Sequence, residues 1–201
     1  MAIQFQYNKT ALQMLEKNLR MRVRALPTIK NKESALRLEV KRAKDEILKL
    51  ETEIEQRIMA YDKMLALWGE FDLSLLHVDD VKMTIKKVAG VRIPVLEEVL
   101  YTTKSFSLFN SPKWFADGLT QLKELAQTGI EREFCSQKLF LLEFARKKTT
   151  QKVNLFEKVQ IPGYEDAIRK IKRFMEDEEN LSKSSQKIVK SRQQIMKETE
   201  L

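Results

Sequence analysis

From about Lys9 to Trp68, apolar side chains recur at alternating intervals of three and four. The positions are Leu12, Leu15, Leu19, Arg22, Leu26, Ile29, Glu33, Leu36, Val40, Ala43, Ile47, Leu50, Ile54, Arg57, Tyr61, Met64 and Trp68. Only Arg22, Glu33 and Arg57 break the apolar run. A 3.5-residue period held this long predicts a coiled-coil seam rather than an ordinary amphipathic helix. At about 1.5 Å per residue the segment would reach ~90 Å, more than a compact domain accommodates. Pro27 falls inside it, but the apolar phase does not slip there, so a mild bend is expected rather than a break.

The pattern changes over residues 69–112. Val81, Met83 and Ile85 alternate with polar residues, which is the period of a strand. Ala89-Gly90 reads as a turn, and Pro94 limits any following strand to a sheet edge. A small irregular insert containing a short helix or a β-hairpin is expected. Asn110 or Ser111 is a plausible cap, with Pro112 opening the next helix.

Helical spacing resumes from Pro112. Leu119, Leu122, Ala126, Ile130, Phe134, Leu141 and Phe144 fall near one face; Tyr164, Ile168, Ile171 and Met175 follow, and Leu181, Ile188 and Ile195 recur every seven. Within KVNLFEKVQIPGYEDAIRKI (152–171), Pro162 and Gly163 stand together, the two residue types a helix interior tolerates least. Val159 to Tyr164 is a five-residue step, so a kink with local rewinding is expected near 161–163. The layout therefore predicts a mainly all-α fold. A helix over 1–68, an insert or foot over 69–112 and a kinked helix with a polar tail over 113–201 would form a long antiparallel two-helix coiled coil. A homodimer of parallel coils is the alternative.

Composition agrees. Of the 201 residues, 33% are charged, with only 5 Gly and 4 Pro, a helical or coiled-coil profile. The net charge is +8, and residues 1–50 carry 12 Lys and Arg against 5 Asp and Glu. An acidic partner is one reading of this excess, and a solvated helix face is the other. The N-terminus lacks the layout of a signal peptide, and no apolar run approaches a membrane span. A soluble, cytoplasmic chain is expected, touching a membrane only through partners.

Catalytic chemistry is scarce. There is no phosphate-binding Gly-rich loop, and the glycines are scattered singly. One cysteine, Cys135, and one histidine, His77, cannot build a usual metal site. Cys135 reads as near-core, His77 as part of a turn or cap, and the acidic run MEDEEN (175–180) as a solvated face. No cofactor is expected. Lys17, Arg20, Arg22 and Arg24 form a basic stripe without interleaved aromatics, which argues against nucleic acid. Pattern alone stops at a noncatalytic coiled-coil scaffold or tether that binds an acidic partner.

Five blocks, in order, carry the reading further. Residues 152–162, KVNLFEKVQIP, resemble the V-N-A-L-E-x-x-x-I-P signature of the D subunit of V-type and A-type rotary ATPases, through Val153, Asn154, Glu157, Ile161 and Pro162. Leu155 and Phe156 are bulkier than the family's Ala and Leu. Lys9 to Leu12 and Ile29 to Leu36 resemble its K-T-x-L and L-K-x-K-R-D-x-L blocks, with Glu33 in place of the usual Arg. Gly90 and Pro94 match a G-V-x-x-P element, and Asn110 to Pro112 are similar to T-S-P. The resemblance implies a central rotor shaft that hydrolyses no ATP itself. Its expected partners are a catalytic hexamer of A and B subunits, the F subunit and the subunit capping the membrane rotor ring. It implies a cytoplasmic place, peripheral to the membrane, and a part in coupling ATP turnover to proton or sodium translocation. Arg20, Arg22, Arg24, Lys187, Lys190 and Arg192 become candidate contacts to acidic loops of the hexamer.

Overall fold

A computed structural model of the chain describes residues 4–61, 73–105, 112 and 114–199. Helix α1 spans Lys9–Tyr61. A 3-10 turn at Leu73–Leu75 leads into strands β1, Leu76–Val88, and β2, Val91–Thr103. Helix α2 covers Phe115–Asn154, a π-helical segment covers Leu155–Gln160, and helix α3 covers Ile161–Thr199. Among the described residues the fold is mainly helical, with one antiparallel two-stranded sheet. Met64, Trp68, Asn110 and Ser111 lie outside the described residues.

Asn8 caps α1: its side-chain oxygen accepts the Ala11 N–H at 2.7 Å, satisfying a donor the first turn leaves open. Pro27 lies within α1, which stays α-helical across it. Every seam position read from the sequence between Leu12 and Tyr61 is buried or half-buried. That includes the three polar exceptions, because each finds a partner. Arg22 reaches Gln160, Glu33 binds Arg37, and Arg57 binds Glu53 and Glu124.

The chain divides into two compact units. One comprises Met1–Asn31 with Thr150–Leu201. Here Leu15 packs with Ala167, Ile168 and Ile171, flanked by Leu12, Leu19, Tyr164 and Met175. Ion pairs Glu16–Lys172 (3.1 Å) and Lys30–Glu157 (2.7 Å) show α1 rising as its partner falls, an antiparallel pairing.

The other unit is Lys32–Thr149. Leu36, Val40 and Ala43 of α1 meet Leu142 of α2 and Ile93 of β2. Lys44–Glu143, Glu46–Lys138, Glu51–Arg132 and Arg57–Glu124 again run antiparallel. Such half-exposed pairs contribute only about 0.2–1 kcal/mol each; they set register more than stability. Leu142, fully buried, carries the α2 seam, whereas Phe144 is 52% exposed. The sequence reading placed Phe144 on the apolar face; here its ring lies outside, under the Lys148 ammonium at 4.3 Å from the centroid. Helix α2 starts at Phe115, whose N–H donates to the Pro112 carbonyl (3.1 Å), rather than at Pro112 itself.

The β-hairpin belongs to this second unit. Ala89 (φ 48°) and Gly90 (φ 80°) both take positive φ, as a two-residue turn matched to strand twist requires. The hairpin makes up residues 76–103 of the insert. It lies back along the helices, with Tyr101 near its base hydrogen-bonded to Gln127 of α2 at 3.2 Å. At its tip, Val88, Ala89 and Val91 pack against the Leu36–Val40–Leu142 core. A third cluster, Leu75, Phe115 and Leu119, joins the hairpin's root to the start of α2.

Candidate functional site

The signature residues Val153 to Pro162 occupy the end of α2, the π segment and the first turn of α3. Pro162 has no N–H, so the usual bond back to the fourth preceding carbonyl is missing, and its ring would crowd that turn. The chain widens instead. The N–H of Ile161 reaches back five residues, to the carbonyl of Phe156. The rewinding thus lies at 155–160, one turn earlier than the Pro-Gly pair at which the sequence reading put it. Pro162 and Gly163 themselves are α-helical.

The widened turn is tied to α1 by polar contacts. Lys30 Nζ donates to Glu157 Oε1 at 2.7 Å. Arg22 Nε donates to Gln160 Oε1 at 2.8 Å and Arg22 Nη1 to the Asn18 carbonyl at 3.2 Å. The same guanidinium lies 4.5 Å from the Tyr164 ring centroid. Val159, which the sequence assigned to the apolar face, is 40% exposed, and Gln160 takes the inward place. Sequence reasoning missed Gln160 because it is polar. The signal available was the polar Arg22 at a seam position, which calls for a polar partner opposite.

The candidate basic residues separate into two kinds. Arg22 is half-buried and engaged within its own unit. Arg20, Arg24, Lys187, Lys190 and Arg192 are exposed. Arg20 and Arg24 line a shallow surface depression with Lys17 and Met21. Of the remaining signature residues, Val153 and Ile161 are half-buried while Asn154 and Pro162 are exposed. Gly90 and Pro94 belong to the hairpin, Gly90 in its turn and Pro94 opposite Ile85.

Cys135 is half-buried, its sulfur 3.9 Å from Glu46. Burial, and then the Glu46 carboxylate, push its thiol above the ordinary value, the reverse of an activated nucleophile. It lines a cleft of about 460 Å³ beside Pro94, Val95 and Leu96. His77 sits on β1 opposite Thr102 rather than in a turn. Among the described residues no group of three His, Cys, Asp or Glu side chains is placed to hold a metal ion. No helix among them is long and apolar enough to cross a membrane.

The model of the family described as the ATP synthase D subunit matches residues 11–191. The chain belongs to that family. A V-type ATP synthase D subunit of Chlamydia trachomatis serovar L2 is 30% identical over 207 residues, spanning 98% of this chain and 100% of the relative. That of Borreliella burgdorferi is 29% identical over 186 residues, covering 91% of this chain and 92% of its own. That of Chlamydia muridarum is 27% identical over 203 residues, covering 98% and 100%. In this member of the D-subunit family, the matched region contains both compact cores, the hairpin and the π segment with its Arg22–Gln160 bond.

Proposed function

We propose that the chain is the noncatalytic central shaft of a V-type rotary ATPase, turning within a catalytic hexamer of A and B subunits. It would couple ATP turnover there to proton or sodium translocation. The F subunit would bind the shaft, and the insert end would dock on the subunit capping the membrane ring. The chain would then be peripheral to the membrane and cytoplasmic.

The observation that carries this reading is the exposed far end of α3. From Glu176 to Met196 every residue is exposed, including Leu181, Ile188 and Ile195 at seven-residue spacing, beside Lys187, Lys190 and Arg192. A helix keeping a coiled-coil repeat on an exposed surface suits insertion into a larger assembly. The cations beside it, with Arg20 and Arg24, suit contacts that exchange with acidic loops as the shaft rotates.

The test is reconstitution. The purified chain should hydrolyse no ATP alone and should join an A/B hexamer in stoichiometric amount. Replacing Arg20, Arg24, Lys187, Lys190 and Arg192 by Ala should lower coupled ATP turnover of that assembly. Unchanged turnover and unchanged hexamer affinity would sink the assignment.

A further inference from the structure

Strand β2 runs beside both helices of the second unit, and the three do not close completely. Between them lies a cleft of about 460 Å³, within the size range of small-molecule sites. Leu50 of α1, Pro94, Val95 and Leu96 of β2, and Phe134 and Cys135 of α2 line it. All six are half-buried, so each leaves part of a largely apolar side chain facing the cleft. A ligand that fills the space takes that surface out of water, which is favourable in proportion to the apolar area covered.

The charges around the cleft are not balanced alike. Glu46 is matched by Lys138 at 2.8 Å and Glu53 by Arg57 at 2.8 Å. Glu131 is different: it is half-buried on the wall and forms no ion pair among the described residues. Its Oε1 accepts the Gln127 amide at 2.8 Å, and Gln127 in turn accepts the Tyr101 hydroxyl at 3.2 Å. That chain holds the carboxylate in place and leaves its second oxygen available. Its neighbours register the charge. After burial, Glu131 is what raises the Tyr101 hydroxyl. The Cys135 thiol is raised by burial first, then by Glu46, with Glu131 adding to it against Lys138. Lys49, the other cation on the rim, is exposed, where water and salt screen it.

We propose that this cleft binds a small organic cation, an apolar body carrying one protonated amine. The body covers Leu50, Leu96 and Phe134, and the ammonium reaches the Glu131 carboxylate. Opposite charges attract more strongly at a half-buried wall than in bulk water. An anionic ligand would meet Glu131 and Glu46 together, and a neutral one would leave Glu131 without a cation. Strand and helices both supply the lining, so an occupied cleft ties β2 to α1 and α2. Hairpin stability then rises with ligand concentration. No other subunit takes part, so this inference and the shaft reading can each fail alone.

The test uses the full chain and three probes of similar shape: phenylbutylamine, phenylbutanol and phenylbutyric acid. Each is titrated by NMR, following backbone amides. The amine should bind about fivefold or more tightly than the alcohol or the acid, with the largest shifts at Leu50, Leu96 and Phe134. Glu131→Gln keeps an acceptor for Gln127 and should bring the amine to the affinity of the alcohol. Glu178→Gln, on an exposed stretch of α3, should leave it within about twofold. Lys138→Met removes the cation that matches Glu46 and should tighten amine binding by about twofold or more. A gain of affinity does not come from misfolding, so Lys138→Met decides the matter if Glu131→Gln fails to fold. The bound amine should also slow amide exchange across residues 76–103. Alcohol binding as tight as amine binding would overturn the proposal, as would amine binding unmoved in a folded Glu131→Gln or in Lys138→Met. Shifts centred on the exposed apolar positions of α3, or no saturation by the amine at concentrations of about 1 mM, would overturn it too.

Discussion

Replacing Arg22 by Ala should separate it from Arg20 and Arg24, with which it forms one basic stripe in the sequence. Arg22 donates to Gln160 at 2.8 Å and stacks 4.5 Å from the Tyr164 centroid. A hydrogen bond from a charged donor is worth about 1.5–3 kcal/mol, and a cation over an aromatic ring adds about 0.5–1 kcal/mol at a partly exposed site. Arg22 is only half-buried, and Gln160 can turn to water once the guanidinium is gone. The lower part of that range, about 2 kcal/mol, is therefore expected. In a chain of this size each kcal/mol moves the melting temperature by about 2–4 °C, so the drop should be ~4–8 °C. Arg20→Ala and Arg24→Ala, at exposed positions, should each stay within about 0.5 kcal/mol of the parent. Arg22→Lys should recover only part of the loss, because an ammonium cannot keep the planar stacking contact and the same hydrogen-bond geometry together. The assay is thermal unfolding followed by circular dichroism at low salt and again at high salt. Equal small shifts for all three alanine variants would refute the reasoning and return Arg22 to the solvated stripe.

Other expectations follow from single contacts. Leu36→Ala and Ile171→Ala each empty a fully buried site and should cost about 2–5 kcal/mol. Amide exchange should accelerate mainly within the unit that holds the mutated residue, and uniform acceleration along the chain would contradict the division into two cores. Gly90→Ala forces a side chain into φ 80° and should destabilise the hairpin by about 1–2 kcal/mol; unchanged exchange over residues 76–103 would refute this. The raised Cys135 thiol should alkylate more slowly at mildly alkaline pH than the thiol of the unfolded chain, and Glu46→Gln should speed it. The sign for stability follows. Above the ordinary thiol pKa the unfolded chain releases its proton first, so this group's contribution falls as pH rises through that range. Alkylation rates that are equal in folded and unfolded protein would contradict it.

The helical architecture was legible because its signal is one-dimensional. A repeat of three and four names the inward positions of α1 without any knowledge of the partner. Even Arg22, Glu33 and Arg57 could be placed inward, because period rather than polarity decides burial there. Phe144 shows where that logic fails. On α2 the hairpin competes for the same surface, so Leu142 takes the core position and the larger ring is left outside. Gln160 was hidden for the opposite reason, since no apolar pattern marks a glutamine whose partner is an arginine far away in sequence. That the hairpin would lie back along the helices was also beyond the pattern. Strand alternation shows that a face is apolar, not what it will cover, and Ile93 could have been read for either face. The basic residues were legible as charges. Their division into one anchored arginine and five exposed cations depended on contacts that only the folded chain brings together.

The π segment can also be read as a dislocation in a one-dimensional lattice. Around it, inward positions run through Val153, Phe156, Gln160, Tyr164, Ile168, Ile171 and Met175. Three successive steps of four replace the alternation of four and three, leaving one residue more than the repeat allows. The widened turn absorbs that residue, so the stretches before and after it need not be counted in common. A length change inside Leu155–Gln160 should be taken up by tightening the turn. The same change at Arg169 would rotate everything beyond it by about 100° and swing Ile171 off α1. Deleting Lys158 should therefore cost far less in melting temperature than deleting Arg169, and equal costs would show that the dislocation is pinned. A helix built this way is tolerant of miscounting at one place along its length, and that place is where Pro162 forbids regular winding.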